Sequence, residues 1–224
     1  MRPIKILAIL SIFAAQSAFA QAPSDLGTAQ IATTKITYSS CNVDGQFISI
    51  TFDDGPHAQH TPRLLDMLKQ RGIKATFFVL GQNVAEYPEI TKRIVDEGHE
   101  IANHSYTHTQ LTKLSDAGLK EEMDKTHQAV AKVTGVQMKN MRPPYGALSD
   151  VQRRWMKSTM GYNVILWDVD PLDWKVRDAG RVEQEIVGKT RAGSIVLVHD
   201  IHKTTVDAMP ATLDALTAKG FKFV

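Results

Sequence analysis

Apolar and polar residues follow two distinct patterns along this chain. Short strand-like stretches lie at residues 47–52, 75–80, 100–102, 140–142, 164–167, 195–198 and 221–224. The one at residues 195–198 is a nearly continuous apolar run, which is typical of a strand buried in a parallel sheet. Stretches with apolar residues three and four positions apart, typical of amphipathic helices, lie between them at residues 64–68, 90–95, 119–133, 151–160, 182–187 and 209–216. This alternation predicts an α/β fold with parallel strands.

Glycines follow most of the helix-like stretches and precede the next strand-like run, as expected where a helix returns to a parallel sheet. They are Gly72, Gly98, Gly135, Gly161, Gly193 and Gly220. About seven strands, with polar residues at most of their ends, favour an incomplete (β/α) barrel over a doubly wound sheet. The sequence shows no linker, repeat or low-complexity tract, so we predict a single domain over residues 35–224.

The first twenty residues have the pattern of a secretory signal peptide. Arg2 and Lys5 give a basic start, residues 6–14 are apolar, and residues 18–20 (AFA) form a small-residue cleavage site. Residues 21–34 are small and polar and are predicted to be a leader into the domain. We therefore expect a secreted or periplasmic protein that has no membrane segment after cleavage, with an uncleaved anchor as the alternative.

Charge and cysteine content exclude some functions. Without Arg2 and Lys5, the 26 basic residues become 24, equal to the 24 acidic residues. No basic block stands out, so a nucleic acid partner is not expected. Cys41 is the only cysteine, so no internal disulfide is expected. We also expect the protein to be a monomer.

Five short motifs carry the candidate chemistry, and each lies where a predicted strand ends. They are residues 51–56 (TFDDGP), 104–108 (HSYTH), 142–145 (RPPY), 170–174 (DPLDW) and 197–200 (LVHD). In a β/α fold the carboxyl ends of the strands converge on one face, so residues distant in sequence can share a pocket. Together these motifs provide the side chains of a metal-assisted hydrolase.

The first two motifs suggest a metal site with a base beside it. Asp53 and Asp54 end an apolar strand, where an unpaired carboxylate would be costly to bury, so a metal or cationic partner is expected. They could instead cap a helix and form a turn. His104 and His108 are four residues apart, a spacing that on a helical turn places both imidazoles on one face. Zinc is the first expectation for two histidines and a carboxylate, with cobalt, nickel or iron as alternatives.

The remaining motifs suggest an acid and its supporting groups. Asp170 and His199 end neighbouring strands, and a carboxylate beside an imidazole favours the imidazolium, which can serve as a general acid. Arg142 is suited to pairing with a carboxylate of the site, although a structural salt bridge is equally consistent. Tyr145 and Trp174 could stack on sugar rings or pack in the core.

In order and in sequence, the five motifs resemble those of polysaccharide deacetylases of carbohydrate esterase family 4, which share the NodB-homology domain. The resemblance spans residues 51–200 and shows no departure at the catalytic positions. It implies an incomplete, distorted (β/α) barrel with one divalent metal, usually zinc. It further implies that the protein removes acetyl groups from N-acetylated sugar polymers.

The resemblance also implies a role for each motif residue. Three would bind the metal: Asp54, His104 and His108. Asp53 would be the general base held by Arg142, and His199 the general acid tuned by Asp170. The backbone N–H of Tyr145 would help bind the oxyanion, while Leu197 and Trp174 would line the pocket for the acetyl methyl group.

Peptidoglycan is the first expected substrate and chitin oligosaccharides the second. Three alternatives stay open at this point. The same site could cleave O-acetyl esters of a xylan-like polymer, in which case loss of His199 would be less harmful because an ester leaving group needs less protonation. The protein could be a secreted carbohydrate-binding module with a structural metal. A metallophosphoesterase is the third, although such enzymes usually need two metals and the motifs supply ligands for one.

Overall fold

The computed structural model describes residues 35–224 of the chain. The signal peptide predicted at residues 1–20 and the leader predicted at residues 21–34 lie outside the described residues. Residues 35–224 form one compact unit, which confirms the prediction of a single domain.

Parallel strands form the centre of the fold. The strands are β1 (Thr37–Tyr38), β2 (Phe47–Asp53), β3 (Thr76–Val79), β4 (Glu100–Asn103), β5 (Asn140–Met141), β6 (Asn163–Ile165), β7 (Ile195–His199) and β8 (Lys222–Phe223). Their order is β1-β6-β5-β4-β3-β2-β7, and β8 pairs with β2. Every ladder between them is parallel, as the alternation of elements predicts.

Helices connect the strands and cover the sheet. They are α1 (His60–Gln70), α2 (Gly81–Glu86), α3 (Pro88–Asp96), α4 (Asp116–Thr134), α5 (Asp150–Ser158), α6 (Asp173–Val176), α7 (Ala179–Lys189) and α8 (Lys203–Ala218). Two short 3₁₀ helices occupy Leu111–Lys113 and Pro144–Gly146. No helix within residues 35–224 combines the length and the apolar character that a membrane span requires.

The two longest strands are buried on both faces, which explains their nearly continuous apolar sequences. In β2, Ile48, Ile50 and Phe52 are each at most 1% exposed, and in β7 the strand interior is buried up to Val198. Helices α1, α7 and α8 add leucines, valines and isoleucines to the same apolar core. Because both strands are held in the core, the residues at and after their carboxyl ends have fixed positions.

The sheet curves into an open, distorted barrel, in agreement with the predicted fold. Its end strands β1 and β7 do not form a ladder within the described residues. Isolated bridges link the two sides instead, antiparallel between Ser40 and Ser194 and parallel between Val169 and Val196. The sequence pattern missed β1, because two residues give too short an apolar run to recognise. The seven predicted strands all occur, with ends that differ by one or two residues.

Gly193 lies where the chain segment after β1 approaches the segment before β7, and this approach requires a glycine. It has a φ of 81°, and a Cβ there would collide with the carbonyl of Cys41. The Cys41 N–H donates to the Gly193 carbonyl at 2.9 Å, and the Gly193 N–H donates to the Phe47 carbonyl at 2.7 Å. Glycine is required here because the two backbones approach closely and φ is positive.

Candidate active site

The carboxyl ends of β2, β4, β5 and β7 bring the sequence motifs together. Asp53 at the end of β2 lies in register with His199 at the end of β7. His104 follows β4 directly, and Arg142 follows β5. These ends surround a cavity of about 430 Å³. Its lining consists of Asp53, Asp54, His104, His108, Pro143, Tyr145, Trp167, Asp170, Trp174, Leu197 and His199.

Three residues of the cavity form a group that could hold a metal ion. Asp54 Oδ1 lies 3.4 Å from His104 Nε2 and 3.3 Å from His108 Nε2. The ligand atoms of all three residues lie within 4.8 Å of one another. Asp54 Oδ1 is buried and has no hydrogen-bond partner among residues 35–224. A buried carboxylate oxygen without a partner is costly unless a cation accompanies it, so these residues fit a divalent metal.

The orientation of His104 suits a metal ligand. Its Nδ1 donates to the carbonyl of Arg142 at 2.7 Å, which leaves Nε2 with a lone pair directed at Asp54. Burial would raise the pKa of Asp54, but His104 and the two other nearby imidazoles lower that pKa to about 2. Asp54 therefore stays ionised, as a metal ligand must be.

The two histidines do not lie on a helical turn, so that expectation was wrong. They belong to an irregular loop in which Ser105 has a φ of 70° and His108 a φ of 61°. The left-handed backbone folds the loop back, and the two rings meet edge to face with centroids 5.1 Å apart. The spacing of four brings the imidazoles together through loop geometry rather than helix geometry.

Asp53 is buried against an arginine. Arg142 Nη1 donates to Asp53 Oδ1 at 2.6 Å and to Thr51 Oγ1 at 2.8 Å, and its Nη2 donates to the Leu166 carbonyl at 3.0 Å. The Arg142 side chain is fully buried, with its guanidinium 4.0 Å from the centre of the Phe78 ring. Burial lowers the pKa of Arg142, while the charge and hydrogen bond of Asp53 oppose that shift, and a guanidinium in a protein stays charged at neutral pH. Asp53 thus has a fixed position and a permanent countercharge.

His199 pairs with Asp173, which corrects the predicted pairing with Asp170. His199 Nδ1 donates to Asp173 Oδ1 at 2.8 Å, and Asp173 Oδ2 accepts from the His199 N–H at 2.8 Å and from Thr205 Oγ1 at 2.6 Å. Asp170 instead accepts from the Leu172 N–H at 2.7 Å, and burial raises its pKa. The turn at residues 170–173 aims the second aspartate of the motif, not the first, at the imidazole.

The remaining predicted residues lie around the cavity mouth. Tyr145 is 67% exposed, has a φ of 61°, and meets the His108 ring edge to face at 4.7 Å between centroids. Trp174 is 49% exposed on α6, and Leu197 is buried in β7. All three line the cavity, as do the other predicted site residues except Arg142, which is fully buried and touches the site through its hydrogen bond to Asp53.

Comparison with known proteins shows to which family this chain belongs. Residues 41–165, more than half of the chain, match the family described as polysaccharide deacetylase. The chain belongs to the polysaccharide deacetylase family. Its fold agrees with a solved structure, the Bc1960 peptidoglycan N-acetylglucosamine deacetylase, with a TM-score of 0.81 and 34% identity over 85% of this chain and 90% of that one.

Two relatives differ in how much of their own length this chain matches. Peptidoglycan-N-acetylglucosamine deacetylase PgdA of Listeria monocytogenes serotype 1/2a is 44% identical over 177 residues, which is 79% of this chain but 37% of that protein. The chain thus spans little more than a third of that relative. A chitooligosaccharide deacetylase of Rhizobium leguminosarum bv. trifolii is 32% identical over 84% of this chain and 93% of its own length.

Three residues of the candidate site were missed by the sequence reasoning. Asp173 stands in the quoted motif, but its spacing from Asp170 does not reveal which carboxylate faces His199. Thr51 begins the first motif, and only the structure shows that it accepts from Arg142. Trp167 ends a predicted strand and was taken as part of it; its ring lines the cavity and lies 5.5 Å from the Arg142 guanidinium.

Proposed function

We propose that this polysaccharide deacetylase is a metal-dependent N-deacetylase that releases acetate from N-acetylglucosamine-type polysaccharides, with peptidoglycan first and chitin oligosaccharides second. One observation carries the proposal. The group of Asp54, His104 and His108 shares one cavity with a carboxylate fixed by arginine and with an imidazole fixed by Asp173. The relatives named as peptidoglycan N-acetylglucosamine deacetylases support the choice of substrate.

Asp54, His104 and His108 would hold the metal. A divalent ion bound there, with zinc as the first choice and cobalt or nickel as alternatives, would polarise the acetamide carbonyl and acidify the attacking water. Two observations support this assignment: Asp54 Oδ1 has no hydrogen-bond partner within residues 35–224, and the Nε2 atoms of His104 and His108 lie 3.4 and 3.3 Å from it.

Asp53 would act as the general base. Its Oδ1 is held by Arg142, while its Oδ2 lies 3.6 Å from His104 Nε2 and so faces the metal group. A carboxylate in this position can accept the proton of a water that attacks the carbonyl carbon. Arg142 would keep that carboxylate oriented, because its own hydrogen bonds to Thr51 and to the Leu166 carbonyl fix the guanidinium.

His199 would act as the general acid. With Nδ1 bound to Asp173, Nε2 is the ring nitrogen left to protonate the departing amine, which is a poor leaving group without a proton. The backbone N–H of Tyr145 would donate to the oxyanion of the tetrahedral intermediate. Trp174 and Leu197 would enclose the acetyl methyl group.

Acetate release tests this function. The zinc-loaded protein would be assayed on purified peptidoglycan, chitin oligosaccharides and acetylated xylan, with Asp53→Asn as the control. We expect release from an N-acetylated polymer, and loss of turnover with retention of metal in the control. Release from xylan alone would indicate an esterase, and retained turnover in Asp53→Asn would remove Asp53 as the base. A bound metal without acetate release from any polymer would support the carbohydrate-binding alternative.

We also propose that the protein is exported and works as a monomer in the periplasm or outside the cell. The basic, apolar and small-residue segments of residues 1–20 support export. Mass spectrometry of the protein recovered from a producing cell would show a new N-terminus at Gln21. An intact N-terminus at Met1 would contradict cleavage, and light scattering would report the oligomeric state.

A further inference from the structure

The loop from His104 to His108 carries two of the three proposed metal ligands, yet it belongs to no helix or strand. Ser105 and His108 both have a left-handed backbone, which is disfavoured for residues that carry a Cβ. Other contacts must therefore stabilise this conformation and fix the positions of the two imidazoles.

Side-chain oxygens accept all four consecutive N–H groups that follow His104. The Ser105 N–H donates to Asn103 Oδ1 at 2.9 Å, and the His108 N–H donates to Ser105 Oγ at 3.1 Å. The two N–H groups between them, those of Tyr106 and Thr107, both donate to Glu122 Oε2 at 2.9 Å. Side chains thus replace the backbone partners that a helix or strand would supply.

Glu122 uses both of its oxygens on this loop. Besides the two N–H groups at Oε2, its Oε1 accepts from Thr107 Oγ1 at 3.0 Å. One half-buried carboxylate thus accepts three hydrogen bonds from groups that lie 15 and 16 residues away in sequence. A carboxylate can accept this many bonds because it has only acceptor sites.

The helix that carries Glu122 is itself firmly anchored. Helix α4 buries Leu119, Met123 and Val130 in the core, and each is at most 1% exposed. The carbonyl of Met123, the next residue, accepts from Asn103 Nδ2 at 2.9 Å. Helix α4 therefore presents acceptors from two adjacent residues, one to the middle of the loop and one to Asn103, which precedes His104.

The other side of the loop is closed by the start of α2. The N–H groups of Gly81 and Gln82 donate to the carbonyls of Ser105 and Tyr106 at 3.0 and 3.2 Å. A Cβ at Gly81 would collide with the Tyr106 ring and with Thr126 of α4, so the loop fills the space between the two helices. Removing Glu122 would release the Tyr106 and Thr107 N–H groups on the side of the loop that faces α4, while the α2 side stays attached.

We propose that Glu122 is a positioning residue that sets the affinity of the Asp54, His104 and His108 group for its metal. It does so by holding the backbone between the two histidines in the conformation that directs both Nε2 atoms at Asp54. The inference rests on the proposed function, because it requires that these three residues bind a metal. Outer-shell groups that fix metal ligands typically change affinity or activity 10–100-fold when they are removed.

Binding of Co²⁺ alone, followed by its visible absorption and by competition with a chelator, tests the proposal without an activity assay. We expect Glu122→Ala to weaken Co²⁺ binding by about 10–100-fold and to alter the spectrum of the bound ion. The matched control is Glu121→Ala, since Glu121 is the adjacent exposed residue of α4 and pairs with Lys125 at 2.6 Å. We expect this control to bind Co²⁺ like the unmodified protein.

Two further variants separate geometry from charge and keep the test valid if Glu122→Ala does not fold. Glu122→Gln keeps the length and an acceptor oxygen but loses the charge, whereas Glu122→Asp keeps the charge but is one methylene too short. We expect Glu122→Gln to retain most of the affinity and Glu122→Asp to lose it. The reverse order, or unchanged binding in both, would overturn the proposal.

The result also separates this inference from the proposed function. Unmodified protein that binds no Co²⁺ would contradict the metal site and with it both proposals. Unmodified protein that binds Co²⁺, with equal affinity in all Glu122 variants, would leave the metal site intact and overturn the role of Glu122 alone.

Discussion

Burial and a neighbouring carboxylate shift the pKa of His199 in opposite directions. Burial lowers the pKa of the imidazole, but the hydrogen bond and charge of Asp173, with smaller contributions from Asp53 and Asp54, raise that pKa to about 9. The partner responds in the reverse sense, because burial raises the pKa of Asp173 while His199 lowers it below its ordinary value. The pair is therefore an imidazolium beside a carboxylate at neutral pH.

Because His199 is the proposed general acid, we expect this pair to set the alkaline side of the pH–activity profile. A general acid works only while it is protonated, so kcat/KM should hold up to about pH 9 and fall above it. Asp173→Asn removes the charge that raises the pKa, so the fall should move toward pH ~6.5, the ordinary value for histidine.

Asp170→Asn is the matched control for that measurement, because Asp170 bonds the Leu172 N–H and not the imidazole. We expect the midpoint of the alkaline fall to stay in place in this variant, whatever the change in the maximum rate. A shift with Asp170→Asn and none with Asp173→Asn would restore the pairing first predicted from the sequence.

Asp53 and Arg142 form a buried ion pair whose members depend on each other. The Asp53 side chain is 3% exposed and that of Arg142 is fully buried. Arg142→Met should lower the free energy of unfolding by about 3–5 kcal/mol, because it leaves a buried carboxylate without a countercharge. Urea denaturation measures this loss.

The double variant Arg142→Met with Asp53→Asn checks the cause of that loss. A neutral amide does not need a countercharge, so part of the lost stability should return. Recovery should be incomplete, since Arg142 also binds Thr51 and the Leu166 carbonyl. A double variant as unstable as the sum of both single variants would contradict the coupling.

Among the elements, the strands could be predicted from the sequence, but the conformation of the loop from His104 to His108 could not. Strands β2 and β7 are buried on both faces, so their sequences are almost purely apolar and can be read without a structure. The loop at residues 104–108 has the spacing of a helical turn, but its conformation depends on Glu122, which comes 14 residues after His108. Local spacing carries no information about a partner so far along the chain.

Helix α5 has a start that its sequence does encode. Ser149 Oγ accepts from the Gln152 N–H at 3.2 Å, and Gln152 Oε1 accepts from the Ser149 N–H at 3.0 Å, which together make a capping box. Ser149→Ala should destabilise the protein by ~1 kcal/mol. Thermal denaturation measures the effect, and Ser158→Ala, at the other end of the helix, should change stability much less. Equal losses in the two variants would contradict the capping role.

At the scale of the whole molecule, the prediction that strand ends converge was confirmed, because it follows from parallel topology rather than from any one residue. What the sequence could not supply was side-chain direction at those ends. The choice between Asp170 and Asp173 depends on a turn whose geometry Leu172 sets with a φ of 54°. A positive φ at leucine has no recognisable sequence signal.

The proposed metal ligands Asp54 and His104 come from segments that are fifty residues apart, so metal binding should stabilise the entire fold. A ligand present at 100 times its Kd adds about 2.7 kcal/mol to stability. Thermal denaturation with and without Zn²⁺ should therefore show a higher Tm for the loaded protein. His104→Ala should abolish the increase, whereas His60→Ala, outside the group, should preserve it. An equal increase in His104→Ala would place the bound ion elsewhere.

Four residues around the cavity share the left-handed backbone: Asp54, Ser105, His108 and Tyr145. Each costs ~1–2 kcal/mol relative to an ordinary conformation, a cost that glycine would not incur. Directed evolution that selects for thermal stability alone should therefore favour glycine at these four positions. At Asp54 and His108, the same substitution would remove a proposed metal ligand. Selection on this scaffold must therefore measure melting temperature and turnover together. Otherwise the selected variants will be thermally stable but catalytically inactive.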